Sequence, residues 1–111
     1  MKLAIKEKAI ENHILSYLKI KGFLAFKIES QGTFDVKLGR YRLKHSIHRK
    51  LGISDIFFAK EGQWGLIEVK SATGRLSDHQ KLFMKEVLEQ GGTVFVARSI
   101  EDVEKHLTGA A

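Results

Sequence analysis

Two short apolar runs, residues 53–59 and 64–70, are separated only by Lys60-Glu61-Gly62-Gln63. A connection this short favours one arrangement in which both segments pair their backbones, an antiparallel hairpin. On the N-terminal side, residues 5–21 carry Ile10, Ile14, Tyr17 and Leu18 at helical spacing, with Gly22 where a C-cap would stand. Residues 23–28 are short and aromatic-rich, as a strand would be, and end at the polar break Glu29-Ser30-Gln31-Gly32. Beyond the hairpin, Ser77 precedes Gln80 at the spacing of a capping box. It starts a helix through Leu82, Phe83, Val87 and Leu88 to the Gly91-Gly92 stop. Residues 93–97 form an apolar, β-branched strand, and Ser99 can cap a last helix carrying Val103 and Leu107. The expected order is αβββαβα, an α/β fold with a mixed four-stranded sheet flanked by helices. No repeat, low-complexity tract or proline-rich linker interrupts the 111 residues, so the expectation is a single domain, 1–111.

Residues 32–50 show no sustained period and read as a long, mobile, basic loop. From Val36 onward the stretch contains Lys37, Arg40, Arg42, Lys44, Arg49 and Lys50 and no acidic residue. With a net charge of +6, this points to an anionic partner, nucleic acid ahead of a membrane surface. The absence of cysteine excludes disulfides, thiolate nucleophiles and zinc sites of the cysteine type. No apolar run approaches the ~20 residues that span a bilayer. Residues Met1 to Lys8 lack the uninterrupted apolar stretch of a secretory signal, so a cytoplasmic protein, neither secreted nor membrane-bound, is expected.

The chemistry-bearing segment is Gly65-Leu66-Ile67-Glu68-Val69-Lys70. Strand side chains alternate faces, so Glu68 and Lys70 share a face with Leu66 while Ile67 and Val69 take the other. Alone, that pair is equally the mark of a solvated face or an ordinary ion pair. Asp55 changes the reading, because hairpin pairing brings it close to Glu68. Two carboxylates at one locus resist joint ionisation unless a cation compensates. A hard divalent ion such as Mg²⁺ does so, and the Val69 carbonyl can add a ligand. Beside such an ion, Lys70 can orient an attacking water and offset the charge that grows in phosphodiester hydrolysis.

The pattern Gly52-Ile53-Ser54-Asp55 followed by Glu68-Val69-Lys70 resembles the PD-(D/E)XK nuclease superfamily and, more narrowly, its VRR-NUC family. Gly32-Thr33-Phe34-Asp35, Arg40-Tyr41-Arg42, residues Gly74 to Gln80 and Gly92-Thr93-Val94-Phe95-Val96 extend the resemblance over nearly the whole chain. Ser54 stands where the superfamily has proline, a departure that leaves the carboxylate untouched. The resemblance implies a restriction-endonuclease-like core and a Mg²⁺-dependent DNA endonuclease, with Mn²⁺ as substitute. It also implies a catalytic set of Asp55, Glu68, Lys70, Glu11 and Gln80, and a metal set of Asp55, Glu68, Val69 and Glu11. Glu7, one helical turn before Glu11, is the competing residue, and without the resemblance either would be a solvated helix-face carboxylate. DNA contacts are assigned to Lys37, Arg40, Arg42, Lys44, His45, His48, Arg49, Lys50 and Arg75, with Phe34 and Tyr41 available to stack on unpaired bases. His45 and His48 are read as phosphate contacts, not zinc ligands. Trp64 and the Phe57-Phe58 pair are read as core or dimer contacts.

A minimal domain without a recognition module points to DNA shape as the determinant. The resemblance implies four-way junctions cut to 5′-phosphate and 3′-hydroxyl ends by a homodimer, in the cytoplasm of a bacterial or phage-infected cell. The rivals are a flap, nicking or restriction-type nuclease and a non-catalytic DNA-binding module. Schiff-base chemistry at Lys70 would need a lysine away from carboxylates.

Overall fold

The computed structural model describes residues 6–29, 33–35, 40–42 and 50–107. Helix α1 (Glu7–Ile20) leads into β1 (Leu24–Lys27), and β2 (Thr33–Asp35) and β3 (Arg40–Arg42) follow. Next come β4 (Ile56–Lys60), β5 (Gln63–Val69), α2 (Asp78–Glu89), β6 (Thr93–Ala97) and α3 (Ile100–Leu107). The main sheet has the order β1-β4-β5-β6. Its first two pairings are antiparallel and the last is parallel, which makes the sheet mixed. Strands and helices of this sheet run αβββαβα, the order the sequence pattern predicts.

The β4–β5 hairpin sits at the centre of the sheet, with Ile56 opposite Ile67 and Lys60 opposite Gln63. Alternation then sorts its side chains. Ile56, Phe58, Ile67 and Val69 face the core with Ala25, Phe95 and Ala97, where Ile10, Ile14 and Leu18 of α1 and Val103 of α3 cover them. Leu66 and Val94 are buried outside that cluster, on the opposite face. Helix α2 packs beside β6, and none of its residues is fully buried. The starts of α2 and α3 follow their caps, whereas α1 begins after Lys6 without a side-chain cap. Ser77 Oγ accepts from the Gln80 N–H at 3.1 Å and Ser99 Oγ accepts from the Asp102 N–H at 3.3 Å.

The basic stretch departs from expectation. Within residues 32–50, read as a loop, β2 and β3 form an antiparallel pair with Phe34 opposite Tyr41 and Asp35 opposite Arg40. Strands of three residues are too short for alternation to register in the sequence. The expected mobility of the segment and the positions of Lys37, Lys44, His45, His48 and Arg49 lie outside the described residues. For Arg40 and Arg42 only the backbone is described.

Gly52 ties the approach to β4 onto the start of α2. Its φ is +76°, and a Cβ there would come within 2.3 Å of the His79 carbonyl oxygen. Gly52→Ala is therefore expected to destabilise the fold by about 2–3 kcal/mol through left-handed strain and overpacking. Urea unfolding checks this, and an unchanged midpoint would contradict the contact.

Among the aromatic residues, Phe58 is core, whereas Phe26 and Trp64 are 48% and 47% exposed. Phe57 stacks between them, its ring centroid 5.0 Å from Phe26 and 6.3 Å from Trp64. Among the described residues, no helix is long and apolar enough to cross a membrane.

Candidate active site

Asp55 lies one residue ahead of β4, held at three points. Its N–H donates to the Ile67 carbonyl at 3.1 Å, and its carbonyl accepts from the Ile28 N–H at 2.7 Å. Its side-chain Oδ2 accepts from the Val69 N–H at 2.8 Å. A carboxylate so clamped is aimed across the hairpin at the next residue along, Glu68. Because a strand residue directs its N–H and C=O to the same edge, the Val69 carbonyl also faces the Asp55 side.

Glu68 is 1% exposed, an unusual place for an acid. Its Oε1 accepts from Gln80 Nε2 at 2.7 Å, and Lys70 Nζ stands 3.9 Å from the same oxygen. Its Oε2 is buried without a hydrogen-bond partner, as is Ser54 Oγ. Burial foremost, then the neighbouring Asp55 charge, pushes the Glu68 carboxyl up to about 8, against the opposing pull of Lys70. Gln80 serves two purposes at once. Its Oε1 accepts from the Ser77 N–H at 2.9 Å to complete the capping box, while its Nε2 reaches Glu68.

Glu11 enters from α1. It is buried, whereas Glu7 is exposed, and both line a cleft of about 460 Å³ with Asp55, Lys27 and Glu29. Burial raises the Glu11 carboxyl above its usual range and the nearby Asp55 adds to this, while Lys27 opposes it. Lys27 Nζ lies 3.3 Å from Glu11 Oε1. Among the described residues, no three acidic or histidine side chains are gathered into a ready-made metal cage. Glu11 is engaged by Lys27, and Asp55 commits one oxygen to the Val69 N–H. The Asp55–Glu68 pair nonetheless fits a hard divalent ion. Mg²⁺ takes one or two protein carboxylates and keeps water or phosphate elsewhere, and the Glu68 carboxyl stands beside a second carboxylate, Asp55, with the Ser54 hydroxyl as a further polar neighbour.

Of the expected DNA contacts that are described, Arg75 is exposed, and Lys50 Nζ pairs with Glu86 at 2.9 Å on the surface. Two residues were not singled out in the sequence. Lys27 carries a signal in its parity with Ala25, a core residue two positions earlier on β1. Arg98 carries none. Its Nη1 donates to the carbonyls of Ser71 and Gly74 and thereby ties down the turn that follows Lys70.

The central hairpin of this α/β sheet thus sets an aspartate beside a glutamate and, two positions on, a lysine, and the domain is of nuclease type. The chain belongs to the VRR-NUC family, whose domain model matches residues 36–101, more than half of its length. Asp55, Glu68, Lys70 and Gln80 fall inside the matched stretch, and Glu11 and Lys27 precede it. No curated protein and no solved structure matches the chain.

Proposed function

We propose that this nuclease domain is a Mg²⁺-dependent endodeoxyribonuclease selective for branched DNA, four-way junctions above all. The observation that carries the reading is the buried Glu68 carboxylate set beside Asp55, with Lys70 and Gln80 converging on its Oε1. Asp55, Glu68, the Val69 carbonyl and Glu11 are the residues that would hold the ion, Mn²⁺ substituting for Mg²⁺. Once bound, it would polarise the phosphoryl oxygen and acidify the attacking water. Gln80 keeps Glu68 Oε1 oriented so that Oε2 stays available. Lys70, its side chain 12% exposed, orients the water and offsets charge growing on the phosphate. The products are 5′-phosphate and 3′-hydroxyl ends.

Lys37, Arg40, Arg42, Lys44, His45, His48, Arg49, Lys50 and Arg75 hold phosphates without reading sequence. Neutralising Arg40 and Arg42 is expected to weaken junction binding and to reduce the slope of log affinity against log salt by roughly 2. Fluorescence anisotropy over a salt series measures it. Opposed cuts in a two-fold junction require two centres, and a homodimer supplies them. The half-exposed Phe26–Phe57–Trp64 stack supports that assembly, since exposed aromatic clusters mark association surfaces.

Labelled four-way junction, flap, nicked and linear duplexes incubated with Mg²⁺ or Mn²⁺ test the proposal. Paired cuts flanking the junction centre are expected. Cleavage confined to flaps or linear duplex would replace the junction reading with another nuclease specificity, and intact DNA throughout would favour a binding module.

A further inference from the structure

The acidic cleft contains an ammonium group of its own. Lys27 ends β1 with its Nζ 3.3 Å from Glu11 Oε1, and both residues line the cleft with Asp55, Glu7, Glu29 and a second lysine, Lys8. The partners differ in freedom. The Lys27 side chain is 43% exposed and that of Glu11 is 8% exposed, so the carboxylate is fixed in the wall while the ammonium reaches in from solvent. A long, half-solvated lysine can withdraw its head group to water with little loss, because exposed ion pairs contribute little net stability. A buried carboxylate that loses its cation has no such refuge. Two cations cannot share one carboxylate oxygen without mutual repulsion.

We propose that Lys27 is a tethered counter-ion. Its ammonium stands in for part of the divalent charge at Glu11 and must yield when a metal ion binds, so Lys27 sets metal affinity without taking part in bond cleavage. The inference rests on the metal-dependent reading above and deepens it. Lys27 is accordingly a positioning residue in the sense that it acts through Glu11, competing with the ion for that carboxylate and touching no reacting atom. The same contact makes the metal site selective for charge. A monovalent cation offers Glu11 no more than Lys27 already provides, and a divalent one does.

Titrating the full chain with Mn²⁺ by calorimetry, in the absence of DNA, tests this. Lys27→Met is expected to bind Mn²⁺ about fivefold more tightly than wild type, the scale set by a partly solvated pair. Lys27→Gln should repeat the gain, and Lys27→Arg, which keeps the charge, should stay near wild type. Lys85→Met removes the same charge from α2, where Lys85 is 74% exposed and pairs with Glu89, and should change nothing. Unchanged or weaker binding by both neutral Lys27 variants would overturn the proposal, as would an equal gain in Lys85→Met. If wild type takes up no Mn²⁺ at all, the metal-dependent reading fails and the counter-ion role fails with it. That result is distinguishable from the first two, in which wild type binds.

Discussion

Glu68→Gln is expected to lower metal-dependent DNA cleavage by about 10³-fold while leaving the folded protein intact or more stable at alkaline pH. The substitution keeps the shape of a side chain that is 1% exposed. Its amide oxygen can still accept from Gln80 Nε2, which now donates to Glu68 Oε1 at 2.7 Å. What disappears is the charge that would anchor the ion. The stability change has a definite sign. The carboxyl ionises near 4.5 by ordinary standards and near 8 in the fold, because burial and Asp55 disfavour its charged form. Below 4.5 it is neutral in both folded and unfolded chains and contributes no difference. As pH climbs from 4.5 to about 8, the unfolded chain gains a free carboxylate that the folded one resists forming, and stability is lost. Above that range the penalty is constant. Thermal melts of the metal-free protein between pH 5 and pH 9 should show this alkaline loss in wild type and a flatter profile in Glu68→Gln. Mg²⁺ should restore wild type and leave the variant unaffected. Full cleavage by the variant would remove Glu68 from the mechanism, and parallel pH profiles would mean that its burial carries no ionisation penalty.

The second large effect is expected at Lys70. Lys70→Ala should reduce the single-turnover cleavage rate by about 10²–10³-fold, with Mn²⁺ binding and junction binding largely retained. The backbone of Lys70 continues the parallel ladder through its N–H to the Ala97 carbonyl at 3.1 Å, a bond the substitution leaves in place. Its side chain is nearly enclosed, 12% exposed, with Nζ 3.9 Å from Glu68 Oε1. An ammonium in so restricted a setting acts on charge at short range, where screening by water is weak. Removing it therefore affects the step in which charge develops, more than the binding steps that precede it. A loss seen only in junction affinity, with the bound complex cut at the wild-type rate, would make Lys70 a phosphate contact and overturn its catalytic assignment.

These effects differ in how far the sequence alone could reach them. The spacing of residues 53–70 is enough to pair β4 with β5 and so to bring Asp55 beside Glu68, because a hairpin's register follows from turn length and side-chain alternation. The Ser77 and Ser99 caps and the buried face Ile10, Ile14 and Leu18 are equally local. The caps depend on contacts within one turn of the chain, and the apolar face is readable from its spacing alone, although its burial comes from the sheet. The three-residue strands β2 and β3 escaped detection for the converse reason, that so few residues carry no measurable period.

What the amino-acid order determined by itself is thus the mixed sheet with its flanking helices and the carboxylate pair on its central hairpin. Tertiary structure alone decided that Gln80 turns its amide onto Glu68, that Lys27 engages Glu11, that Arg98 holds the turn after Lys70, and that Gly52 lies against His79. Each of these joins separate elements, so each depends on the rotation of a helix about its axis and on which strands lie side by side. Periodicity says which face of a helix is apolar. Only packing against a particular sheet says which polar side chain at the edge of that face will meet which partner.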